Sequence, residues 1–468
     1  MIFIDRETEL AALERAWESP GAEMIVIYGK RRVGKTELIK QFIRDRPHLY
    51  FLAQKISARD NLKFLADLTA DLFGDDVLKR TGFPDWHVFF RYGRDRIKNR
   101  LVVVVDEFPY LAEAEKGISS VFQSGWDEDW KRLPVVFILC GSSIAMMESE
   151  VLAQKSPLFG RRTGQILVKP FRFAEARKFF PGAQFDECLE TFSITGGNPS
   201  YLQKFDPGQP LERNIAERIL RPDAFLSREV EFVLREELRE LRNYFAILRA
   251  IALGKCRIGE IVNETGLEKG ILHKYLFTLE DLQVVEKEVP VTEDKPLKSR
   301  RGIYRIQDQY FKFWFRHVLP NRGRIEEGRI EPVLKRIRED LATLASENYE
   351  RLAADLLIKH ERELFPIDRV GRWWDRQGEV DVVALNEETK TILFGEAKWS
   401  RRPVGIDVLE NLMSRAPRVG WNRDGRKERF VLFSRSGFTE ALKTKAEKEN
   451  VLLFHKDELV FPGKRGSF

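Results

Sequence analysis

Eight residues constrain this chain more than any others. Gly29-Lys30-Arg31-Arg32-Val33-Gly34-Lys35-Thr36 fits G-x-x-x-x-G-K-[ST] at every fixed position. Met24-Ile25-Val26-Ile27-Tyr28 before it reads as a buried strand, and Thr36–Phe42 after it continues as a helix. Glycines at both ends let backbone N–H groups turn inward around phosphate oxygens, and the helix N-terminus adds partial positive charge. The motif therefore predicts a cradle for ATP and Mg²⁺. Gly29, Lys30, Arg31, Arg32, Val33 and Gly34 wrap the phosphates, Lys35 reaches the β- and γ-phosphates, and the Thr36 hydroxyl ligates the metal.

A cradle of this kind needs acids on a neighbouring strand. Leu101-Val102-Val103-Val104-Val105 is a continuous apolar run that ends in Asp106-Glu107. Ligands sit at the carboxyl edge of open parallel sheets, where these acids fall. Asp106 is expected to hold Mg²⁺ through water, and Glu107 to orient and deprotonate the attacking water. The next apolar run, Val135–Cys140, ends in Gly141-Ser142-Ser143, which places Ser142 as a candidate sensor of the γ-phosphate. Arg161 and Arg162 follow Ser156-Pro157-Leu158-Phe159-Gly160. They are candidates for an arginine finger reaching a neighbouring subunit, with a surface ion pair or a nucleic-acid phosphate contact as the alternatives.

The 468 residues are too many for one ordinary core. Up to about residue 181, apolar strands alternate with amphipathic helices, the pattern of a parallel sheet covered on both faces. From about 182 the pattern turns helical, and Glu229–Ala252 shows helical spacing of Leu234, Leu238, Leu241, Phe245, Leu248 and Ile251. Ile258–Thr265, a break at Gly266, Lys269–Leu282 and an alternating Val284–Val289 then read as helix, turn, helix and hairpin. From about 321 a charged connecting helix over Arg329–Asn348 leads back to strands at Glu379–Leu385, Thr391–Ala397, Arg429–Ser434 and Val451–Phe454. The expected fold class is α/β: a P-loop parallel sheet, a helical and winged-helix middle, and a C-terminal α/β domain. The expected divisions are 1–181, 182–238, 239–320 and 321–468.

No run approaches the ~18–20 apolar residues needed to span a bilayer. The N-terminus, Met1-Ile2-Phe3-Ile4-Asp5-Arg6-Glu7, has no basic start with an apolar core behind it. Three scattered cysteines argue against a disulfide framework or a zinc site. A cytoplasmic protein with no membrane partner is expected. Charged residues make up 32% of the chain, yet the net charge is only +6. That balance permits a nucleic-acid partner without requiring one.

Taken together, Phe3-Ile4-Asp5-Arg6-Glu7-Thr8-Glu9-Leu10, the P-loop, Asp106-Glu107, Gly141-Ser142-Ser143 and Gly196-Gly197-Asn198-Pro199 resemble the archaeal-type ATPases of the AAA+/STAND class. The resemblance implies adenine-side contacts for Arg6, Glu7 and Pro199, and a possible homo-oligomer. Tyr244–Ile306 resembles a winged helix-turn-helix, with Lys269–Leu282 as its recognition helix. Leu272, Leu276, Leu279 and Leu282 would pack inward, and Lys269, His273, Lys274 and Thr278 would face a groove or water. Lys295, Lys298, Arg300 and Arg301 of the wing loop suit phosphates. In STAND-type ATPases this module is often a structural or regulatory lid, so DNA contact stays one of two readings here.

In the C-terminal part, strand alternation makes Glu379 and Asp381 share a face, as do Glu396 and Lys398. The short turn at Asn386–Lys390 makes their strands antiparallel neighbours. Asp381 and Glu396 can then converge on one Mg²⁺, with Lys398 beside them. This is similar to the PD-(D/E)xK, restriction-endonuclease-like superfamily, a tail the same ATPases often carry. The resemblance implies catalytic roles for Glu350, Asp381, Glu396 and Lys398, and DNA as the partner. Two other readings remain: a nucleotide-switched DNA-binding regulator with an inactive tail, and a STAND-like scaffold that binds a protein.

Overall fold

The structure is a computed structural model that describes residues 3–238 and 240–461. Position 239, where the expected lid gives way to the winged-helix segment, lies outside the described residues, as do Met1 and Ile2. The chain forms two compact units. One takes in the chain up to Glu175 together with Asn198–Gln203, and the other takes in Ala176–Gly197 and the chain from Lys204 onward.

The first unit is built on five parallel strands: β1 (Glu23–Tyr28), β2 (His48–Leu52), β3 (Leu101–Asp106), β4 (Val135–Gly141) and β5 (Gly164–Leu167). Their order is β2-β3-β4-β1-β5. Because strand side chains alternate, the apolar runs feed two cores at once. Met24, Val26, Val103, Val105, Phe137 and Leu139 join one core, among the rings of Phe90, Phe122 and Trp130. Ile25, Ile27, Val102, Val104, Val136 and Ile138 join the other, against Leu38, Ile39 and Phe42 of the helix Lys35–Ile43. The short edge strand β5 was not foreseen from the sequence, since its four residues carry little apolar pattern.

The second unit begins with the helix Phe185–Thr195 and includes three further helices, Leu241–Ala252, Ile258–Thr265 and Lys269–Asp281, followed by an antiparallel pair, β6 (Val285–Glu288) and β7 (Ile303–Ile306). Leu272, Leu276 and Leu279 are buried, and Lys269, His273 and Lys274 are exposed. The segment Glu229–Ala252, read as helical by its spacing, forms two helices: one ends at Glu237, Leu238 is extended, and the next starts at Leu241. The connector and the segment after it instead form a single helix of 29 residues, Glu331–Lys359.

A six-stranded mixed sheet closes the unit, in the order β13-β12-β11-β10-β9-β8. Its strands are β8 (Arg369–Trp374), β9 (Glu379–Asn386), β10 (Thr391–Lys398), β11 (Lys427–Ser434), β12 (Leu452–His455) and β13 (Glu458–Phe461). β9 and β10 pair antiparallel across the short turn, and β10, β11 and β12 run parallel. Trp373 and Trp374 are buried within β8. The loop leaving β6 is joined to β8, because Val291 N–H donates to the carbonyl of Arg372 at 2.9 Å. Among the described residues, no helix is long and apolar enough to cross a membrane.

Candidate functional site

In the first unit β4 lies between β1 and β3, and all three run parallel, so the loop after β1 and the acids after β3 leave the same edge of the sheet. At Gly29 φ is +151°, and a Cβ there would stand 2.3 Å from the carbonyl oxygen of Val168. Only glycine fits so close a backbone approach. Gly34 has φ +95° and faces Pro199, whose Cγ is 3.6 Å from where a Cβ would be. Lys35 is buried, and its Nζ donates to the carbonyls of Gly29 and Lys30 at 2.9 Å each. Burial lowers its pKa from the ordinary lysine value, while Glu107 and Asp106 oppose that shift.

Asp106 is only 1% exposed, and both of its oxygens are engaged. Oδ2 accepts from the Thr36 hydroxyl at 2.9 Å and the Tyr50 hydroxyl at 2.7 Å, and Oδ1 accepts from Glu107 N–H at 2.9 Å. Burial, then the charge of Asp106, pushes the Tyr50 hydroxyl well above its ordinary pKa, so it stays a donor. A buried carboxylate beside a threonine hydroxyl is a hard-oxygen donor set that fits Mg²⁺ with water ligands. Glu107 sits in the left-handed region at φ +56°, and its Oε2 accepts from both the backbone N–H and the hydroxyl of Ser142.

The remaining first-unit candidates are more tied down than the sequence suggested. Arg6 is buried, donates to the Val33 carbonyl at 2.8 Å and to Glu9 at 3.0 Å, and lies 4.1 Å over the Phe171 ring. It thus braces the loop from behind. Glu7 is exposed in the first turn of the helix Glu7–Glu18. Arg31 donates to the Tyr110 hydroxyl at 3.1 Å, and Arg32 is exposed with φ +66°. Arg161 pairs with Asp127 at 3.1 Å and donates to the carbonyls of Pro157 and Phe159. Arg162 lies over the Phe159 ring and donates to the Leu152 carbonyl.

In the second unit, Asp381 and Glu396 are both buried. Asp381 Oδ2 accepts the Ala397 N–H at 3.0 Å, which ties β9 to β10 beside Glu396. Glu396 is held from both sides, by Lys398 Nζ on Oε1 at 2.6 Å and Arg415 Nη2 on Oε2 at 2.8 Å. Burial first, and then Glu396, raises the Asp381 carboxyl to about 7. Burial, then Asp381 and Glu379, raises Glu350 on the long helix to about 8. Arg372 bonds Glu379 at 2.8 Å and lies 3.7 Å from Glu350. Among the described residues no group of three or more His, Cys, Asp or Glu side chains is arranged to hold a metal ion. The pair Asp381 and Glu396 offers hard oxygens, but Lys398 and Arg415 already neutralise the second of them.

Tyr50, Arg372 and Arg415 are the site residues that sequence reasoning missed. Tyr50 lies 56 residues from Asp106 and Arg415 lies 19 from Glu396, and no local pattern ties either to its carboxylate. The wing-loop arginine Arg301, expected on a phosphate, is instead bonded to Glu293 and to the Trp374 carbonyl.

The parallel five-strand sheet, the glycine-bounded loop and the two acids define a P-loop ATPase. Residues 3–205 match an ATPase domain found predominantly in Archaea, and residues 314–410 match a family described as archaeal and bacterial proteins of unknown function. An uncharacterized protein of Methanocaldococcus jannaschii, MJECL04, is 36% identical over 401 residues, which is 85% of this chain and 88% of that one. The chain belongs to the same family as that protein, a family of archaeal-type P-loop ATPases. An uncharacterized ATP-binding protein of the same organism is 48% identical over 46 residues, 10% of this chain and 78% of its own. Among solved structures, the Walker-type ATPase of Pyrococcus abyssi shares the fold at 24% identity and a TM-score of 0.50, over 67% of this chain and 96% of its own.

Proposed function

We propose that ATP turnover in this chain acts on DNA, coupled to a nuclease-like site in its C-terminal sheet. The observation that carries this reading is the gathering of Asp381, Glu396 and Lys398 at one end of β9 and β10, with Glu350 close enough for the charge of Asp381 to raise its carboxyl. In this reading residues 1–181 are the ATPase core, 182–238 a lid, 239–320 a winged helix and 321–468 a PD-(D/E)xK-like domain.

At the ATP site, Lys35 gives up its two carbonyl partners to neutralise the β- and γ-phosphates. Thr36 and Asp106 would hold Mg²⁺, which would supply charge neutralisation at the phosphoryl group. Glu107 takes the proton of the attacking water, and Ser142 positions its carboxylate. Pro199 offers a rigid apolar surface beside Gly34. Arg161 or Arg162 serves a neighbouring subunit once released from its contacts.

In this reading one coupling path is a covalent segment of the chain. The helix Phe185–Thr195 is fixed to the C-terminal sheet region by Asp186, which bonds Arg435 at 2.8 Å and pairs with Lys456 at 3.4 Å. It then runs through Gly196-Gly197 into Asn198-Pro199, beside the P-loop glycine. At the C-terminal site, Asp381 and Glu396 would hold a divalent ion, which would supply activation of water, and Lys398 and Arg415 would face the phosphodiester.

The test is plasmid cleavage by the wild type, Lys35→Ala, Asp381→Ala and Lys398→Ala, each with Mg²⁺ or Mn²⁺ and with or without ATP. Cleavage lost in the two C-terminal variants and insensitive to ATP only in Lys35→Ala supports the reading. Identical behaviour in all four refutes it. A second reading is favoured by Arg415, which occupies Oε2 of Glu396: a nucleotide-switched DNA-binding regulator with an inactive tail. That reading predicts salt-dependent DNA affinity without cutting.

A further inference from the structure

The loop between β6 and β7 carries a feature that neither site uses. Pro296–Lys298 forms one helical turn, and Leu297 within it is 96% exposed, more than any other large apolar side chain among the described residues. A single exposed leucine has no meaning by itself. Here its mounting and its neighbours give it one.

The mounting is braced. Lys298 N–H donates to the Lys295 carbonyl at 3.0 Å and Ser299 N–H to the Pro296 carbonyl at 3.2 Å, which closes the turn. Lys287 donates to the Ser299 carbonyl at 3.1 Å, and Trp374 Nε1 donates to the Arg301 carbonyl at 3.2 Å. With Arg301 bonded back to Trp374 and Val291 bonded to Arg372, the base of the loop is clamped to β8 while its tip projects.

The neighbours are cations. Lys295, Lys298 and Arg300 are all exposed, and none forms an ion pair among the described residues. One exposed acid, Asp294, stands with them, and the other acid of the loop, Glu293, is taken up by Arg301. The helix Lys269–Asp281 of the same module exposes Lys269, Ile271, His273, Lys274 and Phe277.

We propose that this tip is a DNA wedge: Leu297 inserts between adjacent base pairs of a duplex from the minor groove, while Lys295, Lys298 and Arg300 hold the flanking phosphates. The inference rests on the DNA-associated reading above. Apolar side chains presented this way unstack one base step and kink the duplex by about 20–90°. A lone isobutyl group suits a base step and is too little to anchor a membrane surface, where even a full acyl chain binds marginally. Protein hot spots favour Trp, Tyr and Arg, and leucine is under-represented in them. Because the base of the loop is bonded to β8, which pairs with β9, a kinked duplex would be held on the unit that carries Asp381.

The experiment uses the full chain and a duplex carrying end fluorophores for energy transfer and a central 2-aminopurine. The wild type is expected to shorten the end-to-end distance and brighten the 2-aminopurine. Leu297→Ala is expected to lose both signals and about tenfold in affinity, with its melting midpoint and salt slope unchanged. Lys295→Ala with Lys298→Ala is expected to lower the salt slope by about two. A wild type that binds duplex without kinking it, or a Leu297→Ala chain that kinks it equally, overturns the wedge and leaves DNA association standing. No wild-type binding to duplex overturns both. Leu297-dependent binding to phosphatidylserine vesicles, with duplex kinking unchanged in Leu297→Ala, overturns the wedge in favour of a lipid surface.

Discussion

Oε2 of Glu107 accepts two hydrogen bonds from one residue, the Ser142 backbone N–H at 3.1 Å and the Ser142 hydroxyl at 2.8 Å. A carboxylate held this way is aimed by β4 as well as by its own strand. Glu107→Gln keeps the shape and removes the base, so kcat for ATP hydrolysis should fall by about 10²–10⁴ with ATP affinity nearly unchanged. Ser142→Ala leaves one of the two bonds and should cost about tenfold in kcat. Steady-state phosphate release with calorimetric ATP titration separates the two effects, and an unaltered kcat in Ser142→Ala would remove the positioning role.

Gly29→Ala should abolish ATP binding. The new methyl would fall 2.3 Å from the Val168 carbonyl oxygen, in backbone contact that no rotamer relieves. Arg6→Ala should act more mildly, since it removes the brace on the Val33 carbonyl and leaves the loop backbone intact. Loss of one such charged hydrogen bond is worth about 1–3 kcal/mol. Calorimetry with ATP and thermal unfolding check both, and normal affinity in Gly29→Ala would contradict the described loop.

The acid cluster makes stability depend on pH in a definite direction. Folding raises Asp381 to about 7 and Glu350 to about 8, so the folded chain binds protons more tightly than the unfolded one. Stability from these groups is full below the ordinary carboxyl range and is lost as pH rises through 7 and 8. Asp381→Asn should therefore be more stable than the wild type at pH 8, by about 2 kcal/mol, and similar to it near pH 4. Urea unfolding at both pH values tests this, and a wild type gaining stability between pH 5 and 8 through this site would reverse the sign.

Arg415→Ala should raise divalent-metal affinity at the C-terminal site. The substitution frees Glu396 Oε2 and leaves Lys398 on Oε1. Removing one adjacent positive charge favours a cation by about tenfold. Mn²⁺ titration followed by electron paramagnetic resonance measures it, with Asp381→Ala as the variant that should bind least. Equal affinity in Arg415→Ala and wild type would show that the arginine does not compete with metal.

Much of the first site was legible because its constraints are local. Gly29, Gly34, Lys35 and Thr36 lie within eight consecutive residues, and the apolar run before Asp106 marks its strand without reference to anything else. The antiparallel approach of β9 and β10 was equally readable from the short turn between them. The break at Leu238 is hidden in the apolar spacing, which runs on through it, although the expected division after 238 falls there. The unity of the helix Glu331–Lys359 was not readable either, since a charged first half suggested a connector distinct from the apolar second half.

The chain alone determined the phosphate loop, the strand that carries its acids and the alternation that feeds two cores, since each follows from backbone geometry over a few residues. The tertiary structure decided which distant groups hold those acids. Tyr50 reaches Asp106 across 56 residues, Arg415 reaches Glu396 across 19, and Arg301 reaches the Trp374 carbonyl across 73. Such contacts depend on strand order and helix packing, and a long arginine or a tyrosine can meet any carboxylate or carbonyl the fold brings near it, so nothing in the local sequence marks the partner.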